Sequence, residues 1–210
     1  MKKNRNIQKI VIYGDSDFAE QVKYQLDSDD RYKVVAFTVD ESKYVKNRFL
    51  NLPVIKFQLL ENHFSKDEIK IFVAIGYTKM NTIREIVFNE LKEKGYEFLT
   101  YISKNAFIGK NVEIGKGSYI TEFVSISANT HVGNGVIILP NSSIAHNTII
   151  EDFIFCSHSV VIGGNVSVKK NSFIGLNATI KNSITIAEKN IIGSGSNVIN
   201  STDPESIYVG

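Results

Sequence analysis

Four histidines, His63, His131, His146 and His158, are the side chains in this 210-residue chain best suited to move a proton near neutral pH. Acyl transfer from a thioester to an amine or hydroxyl needs such a base for the acceptor's proton. It also needs a donor for the oxygen on which negative charge develops. In a chain that repeats every eighteen residues, as this one does, the position eighteen beyond a histidine lies directly beside it. For His146 that position is Gly164, whose backbone N–H could approach with no side chain in the way. For His158 it is Leu176. The spacing therefore favours His146 as base and Gly164 as amide donor. His63 falls in an irregular stretch and is expected at the surface. A zinc site built from the three later histidines would need a close pair on one coil, and their separations of 15 and 12 residues lack one, so no metal is expected.

The element that must position these residues is a six-residue repeat. From Ile102 to Val198, every sixth residue is Ile or Val except Cys156, an apolar residue at all seventeen consecutive positions. A period of six fits neither a helix face nor a flat strand. It fits a chain that turns a corner every six residues and closes a triangular coil in eighteen, a parallel β-helix. The repeated residue then points inward and stacks on its equivalents in adjacent coils. Position two of each unit is mostly Ala, Val, Ser or Thr, small enough for a corner. Gly or Asn often opens the unit, where a tight turn favours positive φ. Cys156 occupies an inward position and reads as a small core residue rather than a nucleophile. One outer face of such a prism is expected to be flat and aliphatic and to be buried in a trimer.

Charge marks a boundary near residue 100. Residues 1–104 hold 33 of the 46 charged side chains, and residues 105–200 hold 11. The reading is 1–100 as an α/β domain, 101–200 as the β-helix and 201–210 as a C-terminal tail. A net charge of +2 argues against nucleic-acid binding, with Lys2, Lys3 and Arg5 read as a solvated tail. Ile10 to Tyr13 is too short for a secretory core, and no run approaches the roughly 18 apolar residues of a spanning helix. One cysteine excludes an internal disulfide. A soluble cytoplasmic protein is expected.

In the first hundred residues, strands are expected at 8–13, at Tyr32 to Val39 and at Ile71 to Ile75. Helices follow Asp17–Glu20 and Thr82–Glu85, each pair read as a capping box. This order makes a small doubly wound sheet, with its ligand crevice at the carboxyl ends of the strands. Candidate contacts are Gly14, Asp15 and Ser16, then Asp40, then Gly76 and Tyr77. Asp40 could accept from a ribose hydroxyl or a base N–H. The turn Gly14-Asp-Ser-Asp-Phe-Ala lacks the G-x-G-x-x-G fingerprint and sets two carboxylates beside any diphosphate. NAD is not expected, and phosphate contacts there should be weak or absent.

The segments IVIYGDSDFAEQV, FTVDES, FVAIGYTKMN, SSIAHNTIIEDF, VVIGGNVSVKKNSFIGLNATI and the closing IYVG resemble bacterial sugar acetyltransferases. In these, a small Rossmann-like nucleotide-binding α/β domain precedes a left-handed parallel β-helix. The family includes N-acetyltransferases of nucleotide-linked amino sugars and sialic-acid O-acetyltransferases. The resemblance implies His146 as general base and the Gly164 amide as oxyanion donor. It implies acetyl-CoA along the later coils between two subunits, at Leu176, Asn177, Gly193 and Ser194. The nucleotide of a UDP- or dTDP-linked amino sugar would lie at Gly14, Ser16, Asp40, Gly76 and Tyr77. The implied protein is a cytoplasmic homotrimer that acts in surface-glycan synthesis, such as that of lipopolysaccharide. Three features depart from the family. Asn147 stands where some members have glutamate, leaving Glu151 or Asp152 to assist; the first turn lacks the usual glycines; and the sequence stops at Tyr-Val-Gly where relatives continue. O-acetylation of a sugar hydroxyl is the alternative activity, and a non-catalytic β-helix that binds nucleotide sugars is the alternative class.

Overall fold

A computed structural model describes residues 7–210, so the Lys2, Lys3 and Arg5 cluster lies outside the described residues. The chain divides into two compact units. One comprises residues up to 76 together with 87–99, and the other comprises 77–86 and 100–210.

The first unit is a five-stranded sheet. β1 (Gln8–Tyr13) leads through α1 (Asp17–Asp27) to β2 (Tyr32–Val39); β3 (Arg48–Phe49) and β4 (Leu52–Lys56) follow, then β5 (Ile69–Val73). The spatial order is β3-β4-β2-β1-β5, parallel throughout except for the β3–β4 hairpin. β1 is apolar from Ile10 onward because both its faces are covered. The third parallel strand starts two residues earlier than its apolar run suggests. The stretch around Pro53, where no strand is expected, holds β3 and β4. Their turn puts Leu50 and Asn51 at φ 47° and 64°, the geometry of a tight hairpin turn without its usual Asn-Gly signature.

The capping expectations are corrected. Ser16, not Asp17, precedes α1, and its side chain makes no cap hydrogen bond; the Glu20 carboxylate accepts instead from Tyr24. At the start of α2 (Thr82–Glu93), the Thr82 hydroxyl donates back to the Lys79 carbonyl at 2.7 Å, and Glu85 accepts from Asn171.

The second unit is the β-helix. Two-residue strands recur every six residues from β6 (Tyr101–Ile102) to β22 (Asn197–Val198). They stack into three parallel sheets with an eighteen-residue register; Ile126, Ile144 and Ile162, for example, lie in successive coils. The inward residues from Ile120 to Val198 form one buried column that includes Cys156. Each large aliphatic side chain buried there contributes about 1.5–3 kcal/mol. Burial pushes the Cys156 thiol up to about 12, in keeping with a core role. The second positions do more than fill corners. The hydroxyls of Ser118, Ser142 and Ser172 donate to carbonyls fifteen residues on, in the next coil. From Asn111 to Gly195 the residue that opens each unit adopts positive φ, as at Asn129, Asn147 and Asn165. Residues 201–210 are more than a tail: Ile207–Tyr208 (β23) adds a further rung beside β21 (Ile191–Ile192).

Residues 77–86 belong to the β-helix unit although they lie outside the repeat. The Tyr77 ring packs on Phe155 and Phe173, with centroids 5.5 and 4.3 Å away. Asn81, fully buried, donates to the Ser172 carbonyl at 3.0 Å, and Arg84 donates to the carbonyls of Gly135 (3.1 Å) and Ile154 (3.3 Å). At Phe155 and Phe173 the outer surface of their sheet is covered by the chain's own Tyr77. Three consecutive residues, Lys79, Met80 and Asn81, hold φ of 49°, 49° and 61°. Such conformations cost roughly 1–2 kcal/mol each and persist only where surrounding contacts impose them.

Arg84→Ala would leave two buried carbonyls without this donor. It should destabilise the β-helix unit by about 2–4 kcal/mol, measured by denaturant unfolding against Ile86→Ala, which is exposed and should change stability little.

Candidate active site

His146 stands at the corner between β13 (Ser143–Ile144) and β14 (Ile149–Ile150), exposed to solvent. Its column along the coils reads Lys110, Ala128, His146, Gly164 and Asn182, so the imidazole is flanked by the two smallest side chains in it. The ring leans onto the following coil. A methyl group added at Gly164 would lie 2.9 Å from both Cε1 and Nε2 of His146 and 3.3 Å from Nδ1. Glycine is therefore required at 164 for the ring to lie where it does. The Gly164 carbonyl accepts from the Ser183 N–H at 2.9 Å, and its own N–H has no acceptor among the described residues.

Beside this column runs a ladder of asparagines. Asn111 donates to Asn129 (3.0 Å), Asn129 to Asn147 (3.3 Å) and Asn147 to Asn165 (3.3 Å). The same Asn147 amide nitrogen lies 3.2 Å from Nδ1 of His146. Asn147 is thus the side chain that fixes the imidazole. The two carboxylates expected to assist are committed elsewhere: Glu151 pairs with Lys169 at 2.8 Å, and Asp152 accepts from the Asn134 backbone at 2.6 Å. Sequence reasoning missed the ladder, although the eighteen-residue recurrence of Asn was visible.

The other histidines do not join this centre. His131 pairs with Glu113 at 3.2 Å on an exposed sheet face. His158 lies at a different corner, and His63 is an exposed residue of the α/β unit. No group of side chains among the described residues could hold a metal ion, and none of the described helices is long and apolar enough to cross a membrane.

Leu176, Asn177, Gly193 and Ser194 share one corner with one another and with His158, between β18 (Phe173–Ile174) and β19 (Thr179–Ile180) or their equivalents in the next coil. That is not the corner of His146. Within one chain the fold brings Gly164 to His146 but does not bring these four.

In the α/β unit, β1 lies between β2 and β5, so the strand order reverses at the carboxyl end of β1. Gly14 sits there at φ 119°, and any side chain on it would meet the Ala74 carbonyl oxygen at 2.8 Å. Ser16 opens α1, Asp40 follows β2 and Gly76 lies three residues beyond β5, open to solvent around its Cα. Hydrogen bonding from the Ser42 side chain, then from its backbone N–H (2.9 Å) and from Gln58 (3.1 Å), holds the Asp40 carboxyl below the usual range. Burial near Asp40 pushes the Tyr13 phenol up to about 12. Asp15, expected to repel phosphates, is paired with Lys46 at 3.3 Å, and that ammonium lies 3.9 Å above the Phe49 ring. The lysine's thirty-one-residue separation hid this neutralisation from a local reading. Tyr77 falls in the β-helix unit rather than in this one.

The family described as the PglD N-terminal domain matches residues 9–91. Among curated proteins none matches. The acetyltransferase domain of PglB from Neisseria gonorrhoeae FA1090, solved with acetyl coenzyme A, is 21% identical over 98% of this chain and 97% of its own, with a TM-score of 0.86. A histidine-to-asparagine variant of perosamine N-acetyltransferase from Caulobacter crescentus, solved with CoA and GDP-perosamine, is 23% identical over 97% and 94%, with a TM-score of 0.84. WeeI from Acinetobacter baumannii AYE is 25% identical over 97% of each chain, with a TM-score of 0.82. The resemblance read from the sequence is thereby borne out: this chain joins a PglD-type N-terminal domain, at residues 9–91, to a left-handed parallel β-helix with the fold of the bacterial sugar acetyltransferases.

Proposed function

We propose that this chain transfers the acetyl group of acetyl-CoA to the amino group of a nucleotide-linked amino-deoxysugar, with His146 and Gly164 at the reacting centre. The observation that carries this reading is the imidazole lying over Gly164, where a base and an unengaged backbone N–H stand together. Two relatives of the same architecture support it, one solved with acetyl coenzyme A and one with CoA and GDP-perosamine.

The amine nitrogen attacks the thioester carbon, the C–S bond breaks and CoA leaves as the thiol. His146 takes the amine's proton at Nε2, the nitrogen over Gly164, and returns one to the departing sulfur. The Gly164 N–H stabilises the intermediate oxyanion. In this tautomer Nδ1 carries a hydrogen toward Asn147, whose amide must then present its oxygen, and the Asn129 and Asn165 amides bonded to it turn with it, each turn exchanging two groups of nearly equal shape. Gly14, Ser16, Asp40 and Gly76 hold the nucleotide, with Lys46 offsetting Asp15 near the diphosphate. Leu176, Asn177, Gly193 and Ser194 contact the donor from a second copy of the chain, since they occupy another corner. A closed trimer supplies that arrangement three times over. The setting is cytoplasmic synthesis of a surface glycan such as lipopolysaccharide.

A thiol-release assay with UDP-, dTDP- and GDP-linked amino sugars should show turnover, and His146→Ala should lower kcat by about 10² or more. Turnover only with hydroxyl acceptors would replace N- by O-acetylation. Binding of the sugar nucleotide without acetyl-CoA would mark a non-catalytic protein.

Gly164→Ala should cost about 10² in kcat, because the new methyl displaces the imidazole, while the unfolding midpoint falls by only a few degrees. Retained activity in this variant would remove the stacked geometry from the mechanism.

A further inference from the structure

Among the described residues, three buried side-chain oxygens have no donor: those of Asn81, Asn171 and Asn190. In each residue the amide nitrogen is engaged and the oxygen is not, although none is more than 3% exposed. Buried acceptors are rarely left this way, and each calls for a water or an ion as its partner.

Two of the three belong to one closed ring of contacts. Asn81 donates to the Ser172 carbonyl at 3.0 Å, and Asn171 precedes Ser172 in the chain. The Glu85 backbone N–H donates to the Asn81 carbonyl at 3.1 Å, which sets Asn81 and Glu85 one turn apart on the same side of the start of α2. The Glu85 carboxylate accepts from the Asn171 amide at 2.6 Å and closes the ring. Its members carry two free amide oxygens and one carboxylate. The ring closes without Asn190, whose amide nitrogen is held by the carbonyls of Glu188 and Asp203.

The surrounding cations are directed elsewhere. Lys170 pairs with Glu188, and Lys189, one coil beyond Asn171, pairs with Glu205. Arg84, on the same turn as Glu85, donates to the carbonyls of Gly135 and Ile154. One carboxylate among neutral amides balances a single positive charge, and the buried guanidinium on the same turn weighs against a double one.

We infer that Asn81, Asn171 and Glu85 bind a monovalent alkali cation, potassium or sodium, through the two amide oxygens and the carboxylate. Carboxylate and amide oxygens are the ligands that hard cations take. The ion ties the start of α2 to the β-helix where the backbone is most strained: Asn81 is the last of three consecutive residues in the left-handed region, which only surrounding contacts can hold there. This site lies at a different corner from His146 and does not depend on the acetyl-transfer reading.

Thermal unfolding in potassium, sodium and choline chloride at equal ionic strength tests this. Tm should be a few degrees higher in potassium or sodium than in choline, and hydrogen exchange over residues 77–86 should slow in parallel. Glu85→Gln keeps the shape of the side chain and removes its charge. Asn171→Gly removes one oxygen at a position whose φ of 60° suits glycine. Each variant should lose the dependence on the ion. Anomalous diffraction from wild-type crystals grown in rubidium chloride needs no variant and should place a rubidium peak between the side chains of Asn81 and Asn171. Equal Tm in all three salts, or an ion dependence that survives in both variants, would overturn the inference. So would a water at the site in place of rubidium, and a rubidium peak with no change in Tm would mark an adventitious ion only.

Discussion

The constraint on which the rest of this structure depends is the eighteen-residue register of the coils. Each rung of parallel strands can form only if an inward aliphatic residue meets another directly above and below it, and the column from Ile120 to Val198 does so at nearly zero exposure. A two-residue strand has almost no stability of its own. It is held by its neighbours, so the ladder is cooperative along its length and stiff across it. That stiffness allows a surface residue to be positioned to within a fraction of an ångström by a residue eighteen places away.

The reacting corner uses the register directly. His146 can lean onto the next coil only because Gly164 follows it in its column. The Asn ladder beside it serves two purposes. Asparagine tolerates the positive φ that every corner demands, and its amide bonds to the next rung, so the residue that turns the chain also braces the imidazole. A glutamate after the histidine would reach Nδ1 with a full charge. Asn147 reaches it with a neutral amide that also bonds Asn129 and Asn165.

The α/β unit shows how tertiary pairing alters a local electrostatic argument. Read along the chain, Asp15 and Asp17 make the first turn hostile to a diphosphate. In space, Lys46 closes on Asp15 and shares its position with the Phe49 ring. Residues 77–86 make a similar point about boundaries. Their Arg84, Asn81 and Tyr77 bond to the coils, so a segment that looks like the end of one domain belongs physically to the other.

By itself the sequence determined the β-helix, its register and the pairing of His146 with Gly164, because a strict period converts directly into contacts in space. It also determined β1, β2 and the crevice glycine at 14, where apolar runs meet a residue required by φ 119°. Only the tertiary structure decided what is aperiodic. The Leu50–Asn51 hairpin lacks a turn signature, the Glu85 carboxylate accepts from Asn171 rather than capping its helix, and Lys46 arrives from thirty-one residues away. It also decided which corner each residue occupies: Leu176 and His146 obey the same repeat, yet thirty residues is not a multiple of eighteen, and so they face different sides of the prism.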